Sequence, residues 1–126
     1  MTFKFIHTSD WQIGKVFRFL DSTTMGLLQE ARLRATSRLG ELAGIHGAPH
    51  ILVVGDVYDM EALSPRSLNQ PLERMRGYPR VQWHLLPGNH DPHRSNGLWD
   101  QLMRKGLPQN VSVHVEPEHG EDLASA

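Results

Sequence analysis

Residues 85–93 of this chain are Leu85-Leu86-Pro87-Gly88-Asn89-His90-Asp91-Pro92-His93. An amide, an imidazole and a carboxylate occupy consecutive positions there, directly after a predicted strand and a Pro-Gly turn. Functional sites of α/β sheets lie at the carboxyl ends of their strands, which favours a site at this turn. A polar turn with an Asn suited to positive φ and a capping Asp has the same pattern, so this motif alone leaves both interpretations open.

Two further predicted strands also end in polar motifs. The strand nearest the N-terminus precedes Asp10 and Gln12, and the apolar run Ile51–Val54 precedes Asp56 and Asp59. Four consecutive apolar residues are typical of a strand that is buried on both faces. Three strands therefore end, in order, in Asp-x-Gln, Gly-Asp-x-x-Asp and Gly-Asn-His-Asp. This ordered set predicts one polar site at the edge of a sheet.

Composition limits the classes of protein that this sequence can represent. The length of 126 residues is that of one domain, and the net charge of -1 gives no overall electrostatic attraction for nucleic acid. The absence of cysteine excludes disulfides and thiolate metal sites and suits a cytoplasmic protein. We expect no membrane contact, because no apolar run approaches about 18 residues and the N-terminus lacks a signal-peptide pattern.

An amphipathic helix is predicted between the first two strands. Apolar residues recur at steps of three and four over residues 28–45, and we expect this stripe to face the core. Arg32, Arg34 and Arg38 would then form a solvated outer face. A helix that connects two strands of one sheet makes a βαβ unit, so these strands should be parallel.

The second half of the chain continues the alternation of helix and strand. Ser64 followed by proline predicts a helix start, and Pro71 is expected to kink or split that helix. Residues 97–105 predict a short helix, and residues 111–115 alternate in polarity like a strand with one exposed face. The acidic tail, residues 116–126, is predicted to be disordered.

The three ordered motifs resemble those of the calcineurin-like metallophosphoesterases. The opening, residues 7–15, is most similar to the SbcD-type DNA-repair exonuclease branch of that family. The resemblance covers Phe3 to about Val115 and includes the first three of the family's five usual metal motifs. It implies an α/β fold: a layered metallophosphoesterase-type sandwich with βαβ units, mostly parallel strands and flanking helices. This chain would supply its first part, with residues 1–115 as the N-terminal part of the metallophosphoesterase domain.

The resemblance also implies a site for two divalent metal ions, Mn²⁺ or alternatively Mg²⁺. The ligands that it implies are Asp10 and Gln12 for one ion, Asn89 for the other, and Asp56 as the bridge between them. Gln12 is a departure, because the family usually has histidine there. Two hard cations about 3.5–4 Å apart activate a water and stabilise charge on phosphoryl oxygens.

Catalytic and substrate-binding residues follow from the same resemblance and from their position. His90 would be the catalytic imidazole, and Asp59 would hold it oriented and charged. Lys15 and Arg18 would either contact substrate phosphates or lie in solvent, and His93 would either contact substrate or cap the next turn. We expect structural rather than metal-binding roles for the other histidines: His7, His46, His50, His84, His114 and His119.

These residues and the resemblance predict a metal-dependent phosphodiester hydrolase, namely a DNA-repair exonuclease with DNA as its substrate. The resemblance also implies an SMC-like ATPase subunit as a partner. A protein Ser/Thr phosphatase is disfavoured, because Met60-Glu61 and Asp91 replace the residues usual in that group. A phosphodiesterase acting on smaller nucleotides stays open. A second alternative is a non-catalytic, truncated or degenerate half-domain that binds a partner, which Gln12 and the missing later motifs favour.

The isolated chain is not expected to be a whole catalytic unit. Four donor side chains are too few to hold two cations, and one face of the sheet would lack its covering layer. Exposed apolar area of that kind drives association, so we expect a homodimer or a piece of a longer exonuclease.

Overall fold

The computed structural model describes residues 3–15, 19–59, 64–89 and 91–115. Strands and helices alternate along them: β1 (Phe5–Thr8), α1 (Ser22–His46), β2 (His50–Val54), α2 (Pro65–Arg76), β3 (Gln82–Leu86), α3 (Leu98–Lys105) and β4 (Val111–Val113). The prediction of a disordered tail falls on residues 116–126, outside the described part of the chain. None of the helices described is both long and apolar enough to cross a membrane.

The four strands form one sheet in the order β1-β2-β3-β4, and every neighbouring pair is parallel. Thr8 is in register with Val53, and Val54 with Leu86, so the strands reach their carboxyl ends at nearly the same level. The predicted α/β class with βαβ units and parallel strands is confirmed. Because the strands are parallel, the polar motifs that follow β1, β2 and β3 all lie at one edge of the sheet.

The two faces of the sheet are buried to different degrees. Val53, Trp83 and Leu85 project from one face and are completely buried in the helix-covered core. Phe5 and Val54 project from the other face, and each is 50% exposed. Side chains alternate between faces along a strand, so among the described residues the helices cover one side of the sheet and leave the other open.

Helix α1 is longer than predicted, and its buried face is a different one. The helix begins after Asp21, whose carboxylate accepts the N–H of Thr24 at 2.7 Å, and ends at Gly47 with a φ of 65°. Leu28 and Ile45 of the predicted core stripe are 39% and 68% exposed. The buried positions are Leu33, Thr36, Gly40 and Ala43. Leu39 of the predicted stripe still packs against the core, so the predicted inward face was wrong at Leu28 and Ile45 but not at Leu39.

Small residues explain this rotation of α1. Gly40 lies against the ring of Tyr78, and a Cβ at position 40 would come within 2.5 Å of a ring carbon. The helix approaches its neighbours through Thr36, Gly40 and Ala43 together with Leu33. Close packing at Gly40, where no larger side chain fits, helps to select the buried face.

One arginine of α1 also departs from the prediction of a solvated face. Arg34 and Arg38 are exposed, and Arg38 pairs with Glu41 at 2.9 Å. Arg32 is half-buried, and its guanidinium donates hydrogen bonds to backbone carbonyls of the loop after β1.

Helix α2 starts where the sequence predicts. The hydroxyl of Ser64 accepts the N–H of Ser67 at 3.1 Å, and Pro65 is the first helical residue. Pro71 does not split the helix, which runs as one element to Arg76. The ring of Pro71 is fully buried, and this apolar burial offsets the hydrogen bond that proline cannot make.

Candidate metal and phosphoester site

Three loops follow the parallel strands at one edge of the sheet, and they contain the predicted site residues. Loop I comprises residues 9–15 after β1, and loop II comprises residues 55–59 after β2. Loop III comprises residues 87–93 after β3, and position 90 within it lies outside the described residues.

Backbone hydrogen bonds join loop I to loop II. The N–H of Gln12 donates to the carbonyl of Asp56 at 2.9 Å, and the N–H of Ile13 donates to that of Val57 at 3.0 Å. In return, the N–H of Asp59 donates to the carbonyl of Ile13 at 2.9 Å. The parallel pairing of β1 and β2 therefore resumes beyond the ends of the strands and holds the first two motifs side by side.

Three predicted metal ligands have a left-handed backbone. The φ angles are 58° at Asp10, 48° at Gln12 and 55° at Asp56. Non-glycine residues adopt this region rarely, and Asp does so more readily than Gln. Such conformations cost of order 1–3 kcal/mol and cluster at functional sites, so their coincidence with the motifs supports a site here.

Gly88 of loop III lies directly against loop II. Just before it, the carbonyl of Leu86 at the end of β3 accepts the N–H of Gly55 in loop II at 2.9 Å. A Cβ at Gly88 would lie 2.5 Å from both the backbone nitrogen and the Oδ1 atom of Asp56, and 2.8 Å from the Cα of Gly55. Only glycine permits this approach, which explains the Gly of the Gly-Asn-His-Asp motif in physical terms.

The buried carboxylate of Asp91 joins the second and third motifs. It accepts backbone N–H groups from Gly88 at 2.7 Å, Tyr58 at 2.9 Å and Asp56 at 3.1 Å. The backbone carbonyl of Asp91 accepts the indole N–H of Trp99 at 2.6 Å. Burial raises the pKa of Asp91, and its three N–H donors oppose that rise. The sequence motif indicates a capping role for Asp91 or a difference from related families, but not this contact between two loops.

The oxygen donors of the predicted metal site are distributed over all three loops. Asp10 and Asn89 are exposed, whereas Gln12 and Asp56 are half-buried. Carboxylate and amide oxygens suit hard cations such as Mn²⁺ and Mg²⁺. Among the described residues there is no group of three or more His, Cys, Asp or Glu side chains that could hold a metal. The donors thus fit a hard divalent ion in type but form a sparse set.

Comparison with known proteins places the chain in a family. Residues 3–122 match the family model described as calcineurin-like phosphoesterase. The chain belongs to the calcineurin-like phosphoesterase family. It is also 38% identical over 119 residues to SbcD, a component of the nuclease SbcCD of Rhodobacter capsulatus, and the match covers 89% of this chain and 26% of that protein. This phosphoesterase chain therefore spans about a quarter of the length of that relative, and the resemblance to the SbcD-type branch is confirmed.

The cationic side chain of loop I lies next to a predicted ligand of this calcineurin-like phosphoesterase. Lys15 is half-buried, and its Nζ donates to Oε1 of Gln12 at 3.3 Å. Lys15 therefore contacts a predicted metal ligand, and its role toward substrate stays a prediction. Arg18 and His90 lie outside the described residues, and their roles stay predictions. Asp59, the predicted partner of His90, is only 9% exposed.

His93 contacts an acidic residue of α3. Its Nε2 lies 2.8 Å from Oδ1 of Asp100, while Oδ2 of Asp100 accepts the N–H of Asn96 at 2.9 Å. The hydrogen bond with His93 lowers the pKa of Asp100. His93 was expected either to contact substrate or to cap the next turn. The contact with Asp100 favours the role at the turn before α3.

Three histidines away from the loops form a hydrogen-bonded chain across the sheet. Nδ1 of His50 lies 3.0 Å from Nε2 of His84, and Nδ1 of His84 lies 2.9 Å from Nε2 of His114. His50 and His84 are buried. The sequence predicts structural roles for these three histidines. Their cross-strand contacts depend on the register of the strands, which the sequence does not reveal.

Proposed function

We propose that this chain carries the metal-binding loops of a nuclease that hydrolyses DNA phosphodiesters, a DNA-repair exonuclease. The observation that carries the proposal is the joining of the three loops by backbone hydrogen bonds and by the carboxylate of Asp91. The similarity to a component of a nuclease supports DNA over other phosphoesters. The nearly neutral net charge of -1 is compatible with a substrate that is bound through metal ions.

The metal ions would be held by side chains from each loop. Asp10 and Gln12 of loop I would bind one ion and Asn89 of loop III the other, with Asp56 between them. When bound, such ions activate a water and neutralise charge on phosphoryl oxygens. The neutral amides of Gln12 and Asn89 favour Mn²⁺ or Mg²⁺ over softer ions. Lys15, which donates to Gln12, would contact a phosphate of the substrate.

The proton-transfer group in this proposal is His90, with Asp59 as its orienting partner. His90 would protonate the leaving oxygen, and the Asp59 carboxylate would keep the imidazole charged. We expect Asp59→Asn to lower turnover more than metal affinity. Two residues that act as one unit lose activity non-additively, so the double variant of Asp59 and His90 should be little worse than His90→Ala alone. Independent, multiplying losses would reject the pairing.

The proposed partners follow from the relative and from the open face of the sheet. The relative is named as a subunit of a nuclease, which supports an assembly with a further subunit. By the family resemblance that subunit would be an SMC-like ATPase, and the absence of cysteine suits an assembly in the cytoplasm. Phe5 and Val54, both half-exposed on that face, support association with a second copy or with another part of a longer protein.

A hydrolysis assay on the 126-residue chain tests the proposed activity. We expect cleavage of a bis-aryl phosphodiester that requires Mn²⁺, stops with chelator and is lost in Asp56→Asn. The rate should be low, because the donor set is sparse. Cleavage of short nucleotides but not of DNA would favour the phosphodiesterase alternative.

The second candidate function is a non-catalytic half-domain that binds a partner. Gln12 in place of the usual histidine and the sparse set of carboxylates among the described residues favour it. Saturable Mn²⁺ binding with no hydrolysis above that of Mn²⁺ alone would support this candidate and reject catalysis by the isolated chain.

A further inference from the structure

Arg32 of α1 reaches loop I, unlike the exposed arginines of the same helix. Its Nη1 donates to the carbonyl oxygen of Gln12 at 2.5 Å and to that of Trp11 at 3.2 Å. These contacts join distant parts of the sequence and connect the first crossover helix to the first metal motif. The side chain is half-buried, whereas Arg34 is exposed.

The two carbonyls that Arg32 binds belong to a segment with an unfavourable backbone. Gln12 has a φ of 48°, a region that glutamine adopts less readily than Asn, Asp or His. Its N–H donates to the carbonyl of Asp56 at 2.9 Å, and its carbonyl accepts both the Arg32 guanidinium and the N–H of Lys15, the latter at 3.1 Å. Charged donors make hydrogen bonds about twice as strong as neutral ones. The peptide groups on both sides of Gln12 are therefore fixed between α1 and loop II.

Arg32 also lies close to the other predicted ligand of loop I. Asp10, Trp11 and Arg32 line one pocket together with Ala35 and Thr36 of α1. The five guanidinium donors in a rigid fork suit two neighbouring carbonyls better than a single ammonium does.

We propose that Arg32 is a positioning residue for the metal site. It holds the backbone of Trp11 and Gln12, next to Asp10, in its strained conformation. It acts through the backbone without contacting metal or substrate. The inference rests on the proposed function, because it assigns a role in metal binding to a residue outside the motifs.

Mn²⁺ titration of three variants, followed by electron paramagnetic resonance, tests the role in metal binding. Loss of a group that supports metal ligands costs roughly 10- to 100-fold in affinity, and we expect that loss for Arg32→Met. Arg32→Lys should recover part of it. The matched control is Arg34→Met, two residues away on an exposed face, which should bind as the unchanged chain does. Equal affinity of Arg32→Met and the unchanged chain would overturn the proposal.

Amide hydrogen exchange without metal tests the positioning separately. The N–H groups of Gln12 and Ile13 bond to loop II, and in Arg32→Met we expect them to exchange at least roughly 10-fold faster. The amides of β3 should keep their exchange rates, which excludes global unfolding as the cause. Unchanged exchange at Gln12 would overturn the proposal.

The Mn²⁺ titration separates failure of the inference about Arg32 from failure of the proposed metal site. If the unchanged chain binds no Mn²⁺, the metal site is rejected, and the role of Arg32 in it is rejected as well. If the unchanged chain binds Mn²⁺ and Arg32→Met does so equally, the metal site stands and only the inference about Arg32 fails.

Discussion

The carboxylate of Asp91 accepts the backbone N–H of Asp56 at 3.1 Å, so a buried anion of the third motif fixes the predicted bridging ligand of the second. The same Oδ1 atom accepts the N–H of Gly88 at 2.7 Å. Asp91 is 0% exposed and accepts backbone N–H groups of loops II and III, while Asp56 is half-buried. The residue that connects the loops is therefore different from the residues that would bind the metal.

Asp91→Asn tests this organising role. The amide keeps the size of the side chain but turns one acceptor into a donor, which would face backbone N–H groups. Leaving buried donors unpaired costs about 1–3 kcal/mol each, so we expect a loss of about 2–4 kcal/mol in the free energy of unfolding. Urea denaturation measures it, and an unchanged midpoint and slope would show that the carboxylate is not needed.

Gly88→Ala tests the close approach of loops II and III. The added Cβ would lie 2.5 Å from the backbone nitrogen of Asp56, so loop III must move. Overpacking of this kind costs about 1–3 kcal/mol, and Mn²⁺ affinity should fall with it. Gly44→Ala in α1 is the matched control, because its Cβ meets nothing within 4 Å and the helix should gain up to about 1 kcal/mol. Equal thermal midpoints for the two variants would contradict the packing argument.

Gln12→His tests the assignment of a ligand at the departure from the usual motif. Imidazole is a softer ligand than an amide oxygen and suits zinc-like ions better. We expect the variant to bind its first metal more tightly and to shift its preference from Mn²⁺ toward Zn²⁺. Competitive metal titration measures both quantities. If neither changes, Gln12 is not a ligand, and its side chain serves the loop through contacts such as that with Lys15.

The pair of His93 and Asp100 predicts a pH effect with a definite sign. The pKa of Asp100 is lowered in the folded chain, chiefly by its hydrogen bond to His93, so folding favours the charged carboxylate. The resulting stabilisation is present above the ordinary Asp value of about 3.9 and is lost as the pH falls toward the lowered pKa. His93→Ala should return the pKa of Asp100 toward its ordinary value. An NMR titration of the Asp100 carboxyl that shows no such change would reject the pair.

Much of the fold follows from local patterns in the sequence. Ile51–Val54 marks a strand, although Val54 is 50% exposed where burial on both faces was expected. Ser64 marks the start of α2, and parallel strands bring the polar motifs to one edge. These predictions succeed because they depend on short-range alternation, on capping and on the geometry common to βαβ units.

The remaining features depend on distances between segments that no local pattern encodes. The inward face of α1 depends on the fit of Gly40 against Tyr78 as well as on the leucines, of which Leu33 is buried and Leu28 is exposed. Arg32 resembles its exposed neighbours in sequence, and only the course of loop I makes it a donor to Gln12. Asp91 becomes the organiser of two loops because it is buried beneath them, which its motif alone does not reveal.

Mn²⁺ binding by Asp56→Asn tests most directly whether the ends of three strands form one metal site. The substitution removes a charge but keeps the backbone N–H that bonds to Asp91. We predict that the unchanged chain binds Mn²⁺ saturably and that Asp56→Asn binds at least roughly 10-fold more weakly, because ligand charge sets affinity for hard cations. The matched control is Asp21→Asn, since asparagine caps a helix as well as aspartate does. Equal binding by Asp56→Asn and the unchanged chain would contradict the site.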